Sequence, residues 1–178
     1  MKALVTAASK HGGTLGIAET ITRVLEEHGL SAELFDIDEV GDLGSYDACV
    51  VGSGIYLGNW LKEARLFIDT HARELAERPT WLFASGSIVG EPPLADDPNA
   101  LRAGLVERLV ETTNAREHKL FAGRLDMSRL GVLEKVAVRG AHANEGDHRD
   151  WGEVHRWAEA IAAQLRAEQT SQQPKGSV

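Results

Sequence analysis

The stretch Leu4-Val5-Thr6-Ala7-Ala8-Ser9-Lys10-His11-Gly12-Gly13-Thr14 runs from an apolar segment into a turn of small, hydroxylated and glycine residues, and an amphipathic pattern follows at once. Such a turn can hold an anion, because backbone N–H groups at a helix N-terminus converge on one point and hydroxyls add donors. No acidic residue precedes Glu19, although the chain has 27 acidic against 19 basic residues, and Lys10 is the charged side chain of the turn. The ending Gly12-Gly13-Thr14 lacks the Gly-Lys-Ser/Thr of a nucleoside-triphosphate loop, and Gly-x-Gly-x-x-Gly is absent. Ala7 and Ala8 stand where a receiver domain has an acidic pair. A monophosphate held by neutral N–H and hydroxyl donors fits the turn.

Two further turns share this make-up. Gly52-Ser53-Gly54-Ile55-Tyr56-Leu57-Gly58-Asn59-Trp60 and Ser85-Gly86-Ser87-Ile88-Val89-Gly90 each follow an apolar run, whereas the turns at the opposite ends are charged. The elements that must position them alternate. Strand-like runs cover Ala3–Ala8, Glu33–Ile37, Ala48–Ser53, Trp81–Ser85 and Lys119–Gly123, with helical patterns between them. That alternation is the signature of a parallel sheet covered by helices, and four of the runs are nearly continuously apolar, as strands buried on both faces are. Ligands of such open sheets bind beyond the carboxyl ends of the strands, at the topological switch point. The loops after the first, third and fourth strands therefore mark one edge as the site.

Helix one, Thr14 to His28, places Ile17, Ile21, Val24, Leu25 and His28 on one stripe, with Gly29 as its stop. Helix two starts near Asn59 and carries Trp60 or Leu61, Ala64, Phe67, Ile68, His71, Ala72 and Leu75, and Pro79 bars its continuation. Asp97-Pro98 opens a third helix that buries Leu101, Leu105 and Leu109. A short extra helix is expected between Asp126 and Val138. Asp150-Trp151-Gly152-Glu153 opens the last one, with Val154, Trp157, Ala158, Ile161 and Leu165 along its stripe. The reading is one domain over residues 1–167 and a disordered polar tail over 168–178.

With 178 residues, 43% hydrophobic, the chain can bury a substantial core. A net charge of −8 without a Lys/Arg cluster argues against nucleic acid. No apolar run approaches membrane-spanning length, and a single cysteine, Cys49, fits a reducing cytoplasm. Cys49 lies inside a strand run and reads as a small buried residue. Trp81, Trp151 and Trp157 sit in strand and helix stripes and read as core. His142, Asp147 and His148 have no recognised metal spacing. Two residues stay open: Thr14 either caps helix one or binds, and Trp60 fits a core position as well as a ligand cover.

Ser9-Lys10-His11-Gly12-Gly13-Thr14 resembles the phosphate loop of flavodoxin-like proteins, with a hydroxyl residue first and Gly-x-Thr last. The chain is most similar to the flavodoxin-domain group that includes menaquinone-dependent protoporphyrinogen oxidase. There a Ser-Thr-basic-x-Gly-x-Thr loop is followed by a Gly-x-Ser-Ile-type turn, like Gly52 to Gly58 here. A terminal Asp-Trp before an amphipathic helix, matched by Asp150-Trp151, also recurs. The resemblance implies an α/β flavodoxin-like three-layer sandwich: a five-stranded parallel sheet in the order 2-1-3-4-5, with helices on both faces. It implies FMN as cofactor. Ser9, His11, Gly12, Gly13 and Thr14 would surround the phosphate, and Lys10 would add an ionic contact. Ser53, Gly54, Ile55, Tyr56, Gly58 and Asn59 would lie against the ring, with Tyr56 or Trp60 covering a face. Ser85, Gly86, Ser87 and Gly90 would close the other edge.

The implied activity is that of an FMN-binding oxidoreductase or electron-transfer protein. Its partner would be a redox protein or a small quinone- or porphyrinogen-type substrate. Two departures qualify this. His11 and Gly13 replace the hydroxyl and polar residues common in flavodoxin loops. Leu125 to Asp150 contains no aromatic residue and mixes charges, where the protoporphyrinogen oxidase members carry a basic and aromatic insertion. A surface meeting an anionic bilayer is basic or aromatic, so this stretch weighs against the porphyrinogen substrate and the membrane partner. The alternative is a non-redox binding protein that kept the fold and lost or weakened the cofactor.

Overall fold

In the computed structural model, which describes residues 1–56, 59–86, 98–125 and 146–172, the first apolar run becomes β1 (Lys2–Ala8), buried from Ala3 onward. The chain continues through α1 (Gly13–Glu27), β2 (Ser31–Asp36), a 3-10 turn (Ile37–Glu39), β3 (Ala48–Tyr56) and β4 (Asn59–Trp60). Then come α2 (Lys62–Thr70), α3 (Ala72–Ala76), β5 (Thr80–Gly86), α4 (Pro98–Thr113) and β6 (Glu117–Ala122). A small hairpin, β7 (Arg124–Leu125) with β8 (Gly146–Asp147), precedes the last helix, α5 (Trp151–Gln172).

The main sheet has the order β2-β1-β3-β5-β6, and these strands pair in parallel. This is the expected 2-1-3-4-5 order. β4 adds a short antiparallel strand against the end of β3. Strand alternation divides the core into two. Ala3, Val5, Ala7, Val50, Trp81, Phe83 and Phe121 face α1 and α5, and Leu4, Cys49, Val51, Leu82 and Ala84 face α2, α3 and α4. Helices on both faces are what continuous apolar strands require.

Several local expectations change. Helix two begins at Lys62 rather than near Asn59, because Asn59 and Trp60 pair with Tyr56 and Ile55. It breaks at His71 into α2 and α3. Pro98 does open α4, while Asp97 and the expected helix between Asp126 and Val138 lie outside the described residues. Asp150 Oδ1 caps α5 by accepting from the Glu153 N–H at 3.0 Å, but the Glu153 carboxylate turns to Lys119 instead of completing a capping box. Trp151 is 39% exposed rather than core, and the Arg149 guanidinium lies over its ring. α5 also runs beyond the boundary drawn after Ala167, held by an Arg116–Glu168 ion pair.

Candidate functional site

The loop after β1 delivers its chain into α1 at a bare N-terminus. Gly12 is the N-cap, in the left-handed region at φ 80°, and provides no side-chain acceptor for the first-turn N–H groups. The first turn holds no acidic residue either. The leading N–H groups of a helix have no partner within it, and here the loop supplies none from a cap side chain. A glycine is needed because a Cβ strains at that φ. Such an end attracts an anion through its donors and through the helix dipole. Thr14 is inside the helix, so its side chain does not cap it.

The three glycine- and serine-rich segments meet at Thr14. Its Oγ1 lies 2.8 Å from the Ser85 Oγ at the end of β5, and both residues are buried. A Cβ on Gly54, near the end of β3, would stand 3.2 Å from the same Thr14 oxygen. Beside this junction is a cavity of about 590 Å³. Ser9 and Lys10 line it from the β1 loop, Tyr56, Asn59 and Trp60 from the β3–β4 hairpin. The Lys10 ammonium sits 4.0 Å from the centre of the Tyr56 ring, and Tyr56 is 37% exposed. Tyr56 is thus the available aromatic face, whereas Trp60 is buried and packs on His118 with ring centres 5.9 Å apart.

Not every expected residue turns outward. Ser53 is fully buried in β3, where its hydroxyl donates to the Gly54 carbonyl and accepts from the Leu61 N–H at 2.9 Å. That bond fixes the entry to α2. Gly52, Gly54 and Gly86 belong to strands rather than loops. A Cβ on Gly52 would overlap the tip of the Phe83 ring at its Cζ, and one on Gly86 would meet Ile55 at 2.9 Å. Ser9, His11 and Gly13 are partly buried around the loop. Gly58, Ser87 and Gly90 lie outside the described residues.

The fold also brings in residues that sequence spacing left elsewhere. Asp36 and Asp38 reach the cavity wall because Asp36 pairs in register with Ala7. The acid-free sequence around the loop therefore has carboxylates beside it in space. On the opposite flank, the β7–β8 hairpin packs against the loop, with Arg124 Cβ 3.7 Å from where a Gly13 Cβ would be. Arg149 donates to the Gly13 carbonyl from Nη1 at 3.1 Å. It grips Asp147 through Nε at 2.8 Å and Nη2 at 2.5 Å, and lies over the Trp151 ring at 4.4 Å. These bonds hold the Asp147 carboxyl down at about 2. The sequence held one hint, since Gly16 inside a helix marks a close approach. A Cβ there would stand 2.7 Å from Arg149 Nη1.

Cys49 is buried, and desolvation pushes its thiol up to about 12, which removes it from thiolate chemistry. Among the described residues no cluster of His, Cys, Asp or Glu could hold a metal ion, and no helix is long and apolar enough to cross a membrane.

The flavodoxin domain family matches residues 4–151. Protoporphyrinogen IX dehydrogenase (quinone) of Escherichia coli strain K12 is 24% identical over 175 residues, covering 91% of this chain and 95% of that protein. Among solved structures, a flavodoxin from the domain Archaea aligns with a TM-score of 0.63 at 18% identity, over 93% of this chain and 99% of that one. A flavodoxin of Streptococcus pneumonia TIGR4 aligns with a TM-score of 0.61 at 17% identity, over 92% and 99%.

Proposed function

This chain belongs to the flavodoxin domain family, which makes it a flavodoxin-type redox protein, and from that premise we propose that it binds FMN at the carboxyl edge of its sheet. The observation that carries this reading is the uncapped N-terminus of α1 at Gly12, with no acidic first-turn residue, in a loop whose Ser9 and Lys10 line a cavity together with Tyr56, Asn59 and Trp60 of the β3–β4 hairpin. The donor set suits a phosphate monoester, with N–H groups from Gly12, Gly13 and Thr14, the Ser9 hydroxyl, and Lys10 nearby. Tyr56 would cover one face of the ring, and backbone groups of the strand ends would meet its polar edge. FMN, when bound, supplies a ring that takes up and gives out electrons.

The name of the quinone-linked relative makes a small quinone the first electron acceptor to try, and the single cysteine suits a reducing cytoplasm as the compartment. The relative's name also points to a porphyrinogen as electron donor, which the non-aromatic, mixed-charge stretch from Leu125 to Asp150 disfavours here. Titration of purified protein with FMN tests the cofactor: flavin fluorescence should be quenched on binding and the melting temperature should rise with ligand concentration. A protein that neither quenches FMN nor is stabilised by it overturns this function.

A further inference from the structure

We propose that Arg149 is a positioning residue for the phosphate end of the site, acting through the Gly13–Thr14 peptide; this rests on the FMN reading above. The peptide unit is planar, so its carbonyl oxygen and its N–H point in opposite directions. Arg149 Nη1 donates to the Gly13 carbonyl on one side. The Thr14 N–H, on the other side, is one of the first-turn donors that a helix leaves for an anion. Fixing the oxygen aims the N–H. A cation on the oxygen also polarises the peptide and strengthens that N–H as a donor.

The arrangement is built rather than incidental. The Arg149 side chain is 9% exposed, and its fork is held by both Asp147 oxygens. Its face is stacked on Trp151, and its tip occupies the space that Gly16 leaves open. Asp147 offsets the Arg149 charge beside the positive end of α1, and an anion in front of the same peptide would interact favourably with both the helix end and the guanidinium. From the far side the Ser85 hydroxyl holds the Thr14 side chain, so Thr14 is pinned at both its backbone and its hydroxyl.

The test compares FMN with riboflavin, which lacks the phosphate, on the full chain and on Arg149→Met and Arg149→Lys. Met keeps the stem on Trp151 without the charge, and Lys keeps the charge without the fork. Arg149→Met should weaken FMN binding roughly tenfold, the worth of one charge-assisted hydrogen bond. Riboflavin binding should stay within about twofold, and Lys should restore part of the loss. Equal losses for FMN and riboflavin, or no loss in either, overturn the proposal while leaving the cofactor reading intact. Inorganic phosphate provides an arm without flavin. It should raise the melting temperature of the wild type and much less that of Arg149→Met. If phosphate stabilises the wild type and FMN does not, the cofactor reading fails and this arm still decides Arg149. Equal stabilisation of both proteins, or of neither, overturns the proposal.

Discussion

The Thr14 and Ser85 hydroxyls, 2.8 Å apart and buried, join the first turn of α1 to the end of β5 across the sheet's switch point. The pair connects the candidate phosphate loop to the opposite wall of the site. Replacing either partner leaves the other hydroxyl buried and unpaired. Thr14→Val and Ser85→Ala should each cost about 1–3 kcal/mol in urea denaturation. The double variant should cost less than their sum by at least about 0.5 kcal/mol. Additive losses would show that the two hydroxyls do not depend on each other.

Gly12 and Gly29 share a backbone φ of 80°, one before α1 and one after it. Alanine at either position is forced into the left-handed region, at about 1–2 kcal/mol of stability. Only Gly12 lies at the proposed anion site. Gly12→Ala should therefore weaken FMN binding, whereas Gly29→Ala should lose similar stability and keep its FMN affinity. Matched denaturation curves with unequal FMN titrations are the expected result. Equal FMN affinities would place the phosphate elsewhere.

Gly52 reads in sequence as part of a ligand turn, yet it lies in β3 opposite Phe83, with which it is in register. Phe83 in turn meets Phe121 and Trp157 at edge-to-face angles, with ring centres 6.2 and 6.1 Å away. A methyl at Gly52 must displace that aromatic cluster. Overpacking of this kind costs about 1–3 kcal/mol or more. Gly52→Ala should be strongly destabilised, and adding Phe83→Leu should recover part of the loss. A fully stable Gly52→Ala would mean that the ring is not seated there.

What was legible in the sequence follows from what strands and helices must bury. The runs Ala3–Ala8 and Trp81–Ser85 are apolar on both faces, so they could only be central strands. The Ile17, Ile21 and Val24 stripe could only be a helix against them. The β3–β4 hairpin was hidden because Trp60 continues the helical spacing of Ala64, Phe67 and Ile68. The break at His71 was hidden for a similar reason, since the apolar stripe passes through it. Serine and glycine between apolar residues signal close packing as readily as ligand contact, which is why Ser53 and Gly86, both strand residues, read as site residues. Arg149 is silent in sequence spacing because its effect needs Gly13 and Gly16, distant in sequence and adjacent only after folding.

The Asp147–Arg149 pair gives the hairpin flank a defined acid limit. Hydrogen bonds from Arg149 lower the Asp147 carboxyl from 3.8 to about 2. A carboxyl depressed on folding stabilises the native state above its unfolded value and loses that contribution as pH falls through the folded one. The contribution should therefore be complete above about pH 4 and vanish toward pH 2. Acid unfolding followed by Trp fluorescence should show Asp147→Asn losing this component, with the two proteins converging at the acid end. Parallel curves throughout would remove Asp147 from the acid transition.

His118 predicts the opposite kind of proton coupling, nearer neutrality. It stands on β6 against the Trp60 ring, and its Nε2 is buried without a hydrogen-bond partner. Burial lowers its pKa from 6.5, with Glu117 pulling weakly the other way. The unfolded chain then binds a proton that the folded chain resists. The sign follows: stability is full above the unfolded value near 6.5 and declines as pH falls toward the lowered folded value. Trp60 anchors the hairpin that carries Tyr56, so the strain of charging His118 falls on the floor of the site. His118→Leu keeps an apolar contact with Trp60 and has nothing to protonate. Its stability relative to wild type should improve steadily between pH 7 and pH 5 in urea titrations, whatever the other histidines contribute to both proteins. A constant difference across that range would mean that His118 takes up its proton without cost to the fold.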